Sequence, residues 1–248
     1  MTERKRNTSA GGVFHFLLIF LSPVLFLIPS CPFLLPRLSL CYTFFRMQRA
    51  SDDQNMADLH KAELLKLEGR HADALVILEK LLSVDPDNPL ILEEIADNEL
   101  SLEQYDRART AALSAAALDP ESYTAYYILG FIASHREQWA DSLEYLKKAN
   151  GLKPNNPEIL RCFGWSLFND GQMTSGTVTL ERALNLDSDN TLTLCDLGVV
   201  YVQSQNFAKA RALFQRAADI DPTNTRALEC LQMVGRIQMQ TGELKGQN

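Results

Sequence analysis

Cysteine and histidine are scarce. The 248 residues hold five cysteines, Cys31, Cys41, Cys162, Cys195 and Cys230, and no two stand in a CxxC spacing. An odd, scattered set gives no sign of a disulfide framework or a zinc site. The four histidines, His15, His60, His71 and His135, fall in no metal or protease spacing. The chain also lacks a phosphate-cradling glycine loop, a dinucleotide fingerprint and a GxSxG elbow. No catalytic residue, metal ligand or cofactor is therefore expected. Cys162, Cys195 and Cys230 lie at nearly matching places along the chain. Packed helices stand about 8–10 Å apart, so three parallel sulfurs along a ladder cannot surround one ion. They read as packing cysteines. Adjacent Glu93 and Glu94 read as a charged, solvated helix surface.

Charge is missing from one stretch altogether. Residues 7–36 contain no Asp, Glu, Lys or Arg. Basic Arg4-Lys5-Arg6 precedes an apolar run over 13–28, VFHFLLIFLSPVLFLI. Residues 1–50 have the look of a signal or anchor. The run is short for a span, and Pro23, Pro29, Pro32 and Pro36 break it up. Basic residues on both sides leave its orientation undecided. A second reading takes this stretch as leader sequence upstream of a start at Met47 or Met56. Both readings stand. The remainder, 51–248, is acidic, with a net charge of −12 inside a whole-chain −7. Phosphate affinity comes from Lys and Arg, so nucleic acid is not an expected partner.

What the chain has in quantity is repetition. From residue 55 a period of 34 divides it into 55–88, 89–122, 123–156, 157–190 and 191–224, with a partial unit after that. Small residues recur at the eighth place (Ala62, Ala96, Gly130, Gly164, Gly198) and the twentieth (Ala74, Ala108, Ser142, Gly176, Ala210). Such residues let two helix axes approach closely. The twenty-fourth place is mostly large: Leu78, Ala112, Leu146, Leu180, Phe214. Tyr105, Trp139, Met173 and Phe207 open the second half of their units, and Trp139 reads as core. Each unit therefore predicts two short amphipathic helices and a turn. Asn88, Ser122, Asn156, Asn190 and Asn224 precede the units and are strong N-cap types. Pro86, Pro120, Pro154 and Pro222 stop the helix before. One helix pair cannot bury its own apolar faces, so stability must come from stacking neighbours.

These residues resemble the tetratricopeptide repeat (TPR) family. Unit 191–224 carries Leu194, Leu197-Gly198, Tyr201, Ala210, Phe214, Ala217 and Pro222 at the family's signature places. The resemblance implies an all-α solenoid of helix-turn-helix repeats, a right-handed superhelix. It would comprise about five repeats within 51–248, a capping helix over 225–242, and the hydrophobic segment 1–50 ahead of them. In the first unit Asp58 and Lys61 replace large apolar residues, so its leading helix is expected to fray or to act as a polar cap.

The resemblance also implies which places line the inner face. Carried onto this chain they include Glu93, Glu94, Asp97, Tyr127, Phe131, Arg161, Trp165, Phe168 and Asp196. The family's carboxylate-clamp places in the early units hold Leu59, Glu63 and Glu94, which do not match a clamp. An acidic end beside an aromatic middle points to a protein or peptide ligand with apolar anchors and a basic residue. The expected function is a non-catalytic, cytoplasmic adaptor or scaffold. The alternative is a membrane-anchored or exported assembly factor of a bacterial pilus or secretion type, with membrane contact through residues 13–28.

Overall fold

The computed structural model describes residues 54–245. The chain divides into two units, Met1–Ala57 and Asp58–Asn248. The apolar run 13–28 lies outside the described residues. Among those described, no helix is long and apolar enough to cross a membrane.

The described residues form eleven helices and no strand. They are α1 (54–67), α2 (His71–Val84), α3 (Pro89–Ser101), α4 (Tyr105–Leu118), α5 (Tyr123–His135) and α6 (Trp139–Leu152). There follow α7 (Pro157–Asn169), α8 (Met173–Leu186), α9 (Thr191–Gln203), α10 (Phe207–Ile220) and α11 (Thr225–Lys245). Within the second unit they stack as successive pairs, each helix packing chiefly on the ones before and after it. This is the all-helical, paired architecture that the 34-residue pattern predicts.

The start of each first helix is set by one side chain. Asn88 Oδ1 accepts from the N–H groups of Leu90 and Ile91, and Asn156 Oδ1 from those of Glu158 and Ile159. Ser122, Asn190 and Asn224 accept from the N–H three residues on. Each contact satisfies a donor that the first helical turn leaves unpaired. Pro89 and Pro157 follow two of the caps, where a missing N–H costs nothing.

The turn inside each pair has a different logic. Gly69, Glu103, Glu137, Gly171 and Gln205 all take positive φ, between 58° and 90°. This left-handed residue lets the next N–H reach back to close the first helix, as Gln104 does to the Glu99 carbonyl at 2.8 Å. Glycine meets the requirement without steric cost at 69 and 171 only.

Close approach within the pairs explains the small residues. A Cβ at Gly198 would fall 2.4 Å from Phe214 Cε1, and one at Gly130 would fall 2.5 Å from Leu146 Cγ. Phe214, Leu146, Leu180 and Leu78 are fully buried at these contacts. Trp139 is only partly buried. The first helix keeps an apolar stripe beside its Asp58 and Lys61. Ala62 and Leu65 are buried in a cluster that continues to Ile159 on α7, so α1 contributes apolar core as well as polar surface.

Candidate functional site

The places predicted to face inward fall on α3, α5, α7 and α9, and they separate into three environments. The acidic end on α3 is the first. Glu93, Glu94 and Asp97 are all half-buried. Lys66 of α1 reaches across to Glu94 at 2.6 Å and Asp97 at 3.2 Å. Burial works against the Lys66 charge, but the two carboxylates outweigh it and hold the amine above its ordinary value. Two of the three acidic side chains are thus already paired within the chain.

A buried polar chain forms the second environment. On α7, Arg161 is 9% exposed. Its Nε and Nη2 donate to Glu158 Oε1, at 3.1 and 2.5 Å, and its Nη1 donates to Asp196 Oδ2 of α9 at 2.9 Å. The other Asp196 oxygen accepts from Arg226 Nη2 of α11 at 2.8 Å. Tyr127 on α5 donates its hydroxyl to Glu158 at 3.2 Å. Four successive first helices are therefore tied by one network. Desolvation opposes the Arg161 charge, yet Cys162, Glu158 and Asp196 keep the guanidinium above its usual value. Burial, then Cys162 and Glu158, push the Tyr127 phenol up as well. Burial raises the Cys162 thiol to about 12 and the Cys195 thiol to about 11. Both sulfurs stay protonated at neutral pH and offer no nucleophile. Among the described residues no group of three His, Cys, Asp or Glu could hold a metal ion.

The third environment is a pocket of about 240 Å³ over this network. Phe131 and Trp165 line it with Arg161, Cys162, Asp196 and Arg226. Ser134 and His135 complete the wall. The His135 ring stacks on Tyr105, with centroids 4.3 Å apart. Ser134 accepts from Ser166 Oγ at 3.2 Å, and Ser166 in turn touches Ser142 Oγ at 2.8 Å, so buried hydroxyls back the wall. A larger cleft of about 400 Å³ opens between α10 and α11 beside Arg211, Leu231 and Met239. Arg211 is the one charged side chain in its lining.

Phe131, Arg161, Trp165 and Asp196 thus meet at one pocket. Glu93, Glu94 and Asp97 are not in its lining, and Tyr127 reaches it through Glu158 and the Phe131 ring, 6.3 Å between centroids. Phe168 departs from its expected place on the surface. It is 3% exposed and packs with Leu180, Leu197 and Val200, because the Gly164 and Gly176 backbones bring α8 close against α7. Arg226 and Ser134 were not anticipated. Arg226 had a signal available: the second place of each unit runs Met56, Leu90, Thr124, Glu158, Leu192, and one further period lands on Arg226.

Tetratricopeptide repeat family profiles match residues 93–157 and 192–224. The mouse protein O-mannosyl-transferase TMTC1 is 24% identical over 131 residues, which is 51% of this chain and 14% of that protein. A Drosophila melanogaster BBSome complex member BBS4 homolog is 21% identical over 197 residues, or 78% of this chain and 39% of its own length. The chain therefore spans well under half of either relative. Among solved structures, YrrB, described as a TPR protein with an unusual peptide-binding site, superposes with a TM-score of 0.54. It is 23% identical, and the match covers 75% of this chain and 97% of YrrB. That likeness is one of fold. With two family matches on 34-residue units that build the helix pairs, the chain carries tetratricopeptide repeats.

Proposed function

We propose that residues 58–248 form a non-catalytic protein-interaction scaffold, and that the face built by α3, α5, α7 and α9 receives a segment of a partner protein. TPR proteins bind protein or peptide partners, which supports the coarse reading. The pocket carries the finer one. It places two partly exposed aromatic rings, Phe131 and Trp165, beside a pre-ordered charged network. Aromatic side chains in such settings dominate binding energy at interfaces. Apolar anchors of the segment would rest on these rings. A basic partner residue would find Glu93, because Lys66 already engages Glu94 and Asp97.

Trp165→Ala tests the reading. Affinity for a captured partner should fall by about 2 kcal/mol or more, with far-UV circular dichroism unchanged. Loss of helicity alongside binding would show the ring to be core. The second reading, an anchored or exported assembly factor, rests on residues 13–28. Fractionation of native cells tests that one: a chain found wholly outside membranes and envelope would remove it.

A further inference from the structure

The last helix keeps the apolar residues of a first helix but leaves one face uncovered. Helices α3, α5, α7 and α9 each stop after 13 residues, at Ser101, His135, Asn169 and Gln203. A left-handed residue, Glu103, Glu137, Gly171 or Gln205, then turns the chain into the second helix of the pair. In α11 the matching residue is Met239, which lies within a helix that runs on to Lys245. Among the described residues α11 packs on α10 and α9. The consequence shows at the fourth place of the unit. Leu92, Tyr126, Leu160 and Leu194 are buried there, whereas Leu228 is 40% exposed. Leu228, Leu231, Gly235 and Met239 follow at steps of three and four and so share one face. Met239 is 72% exposed. Leu231, Gly235 and Met239 line the cleft of about 400 Å³ beside α10. Glycine inside a helix is unfavourable. Gly130, Gly164 and Gly198 are needed because a neighbouring side chain presses on each, but a Cβ on Gly235 would meet nothing within 4 Å.

We propose that this face receives α11 of a second copy of the chain, antiparallel, as the interface of a two-fold dimer. The face is complementary to itself in size and in charge. With the two-fold axis beside residue 233, Leu231 stands opposite the partner's Gly235, where the missing Cβ admits it and lets the two helices approach closely. Leu228 then meets the partner's Met239, and Glu229 the partner's Arg236, each within one residue's rise of about 1.5 Å. Glu229 and Arg236 are exposed and two turns apart, so they share a flank of α11. The two-fold forms their ion pair twice along that flank. An isologous contact of this kind closes at two copies. It is independent of the groove reading. Arg226, which lines the groove pocket, lies across the helix from Leu228. The dimer therefore presents two open grooves, and a partner with two binding segments gains from both.

Sedimentation velocity of the whole chain over a range of concentrations reads the association, and a monomer–dimer equilibrium is expected. Met239→Glu should raise the dimer Kd about tenfold or more, with far-UV circular dichroism unchanged. Val178→Glu alters another exposed apolar side chain, on α8, and should leave the Kd within about twofold. Glu229→Arg and Arg236→Glu should each weaken the dimer, because each sets like charges against one another. The double variant should restore it, since both ion pairs re-form with their charges exchanged. Gly235→Leu should dissociate the dimer while the monomer keeps its melting temperature. A wild-type chain that stays monomeric at about 100 μM overturns the proposal and leaves the face to a helix of another protein. Association that every α11 variant leaves unchanged also overturns it, since the contact then lies elsewhere in the chain. Growth beyond two copies that these variants abolish would mean head-to-tail stacking and not a two-fold. A double variant no tighter than its singles removes the antiparallel pairing.

Discussion

Glu99 stands at a place where the other units carry Leu65, Ala133, Leu167 and Tyr201. It is 1% exposed, and neither carboxylate oxygen has a hydrogen-bond partner among the described residues. Arg107 Nη2 lies 2.7 Å from Oε1 without hydrogen-bond geometry, and also serves Glu79 at 3.0 Å. Burial raises the Glu99 pKa above its ordinary 4.5, more than the Arg107 charge lowers it. A raised carboxyl pKa favours folding below the unfolded value, and that contribution is lost as pH rises through the folded pKa. Glu99→Leu installs the side chain of unit four, leaving Arg107 with Glu79. It should stabilise the fold at pH 7 by about 1–3 kcal/mol, with a smaller gain below pH 4.5. Denaturant titrations at the two pH values check this, and an equal gain at both would remove the charge as its source. Single residues were the least legible scale in the sequence. Arg161 and Asp196 could be placed on one face from their spacing. That they pair with each other depends on how α7 meets α9, and that Arg226 joins them depends on how α11 meets α9, neither of which periodicity carries.

The helix pair was far more legible, because its constraints are local. N-cap types at Asn88, Ser122, Asn156, Asn190 and Asn224 mark helix starts that hold in the structure. Small residues mark close approach. The left-handed turn was not legible, since Glu103, Glu137 and Gln205 adopt positive φ without a glycine to announce it. Phe168 was misplaced for a related reason: how tightly α8 approaches α7 depends on Gly176 as well as Gly164. A Cβ on Gly176 would meet the Phe168 nitrogen at 2.6 Å, the Gly164 oxygen at 2.7 Å and Phe168 Cα at 2.8 Å. These are backbone atoms and cannot swing aside, so α7 and α8 would have to separate. Gly176→Ala should cost at least the upper part of the roughly 1–3 kcal/mol typical of overpacking. Gly151→Ala is the control, since a Cβ there meets nothing within 4 Å. It should gain up to about 0.5–1 kcal/mol from helix propensity. Thermal unfolding of the two variants reads the contrast, and equal shifts would show that the small residue at this place is not a packing requirement.

At the scale of the 58–248 array, each pair contacts chiefly its neighbours, so stability is a chain of interfaces rather than one shared core. The buried apolar residues reflect this: one cluster runs from Ala62 to Ile159, and another, around Phe214 and Val234, belongs to α9–α11. Across that division, Asp196 joins Arg161 of α7 to Arg226 of α11. Breaking a buried ion pair by removing one partner typically costs about 3–5 kcal/mol, because the other charge is left uncompensated. In Asp196→Ala, Arg161 keeps Glu158, so the loss should fall near the lower end. Its location matters more than its size. In an array of neighbour-coupled repeats, a weakened interface opens the segment beyond it before the rest. Native-state hydrogen exchange should show amide protection falling in α9–α11 while α2–α5 hold theirs. Protection lost evenly from α2 to α11 would mean that the array unfolds as a single unit, and that the bridge contributes to global stability rather than coupling two parts of the binding face. The expected pattern ties the network to function, since the same Asp196 that secures the last helices also fixes Arg226 at the pocket.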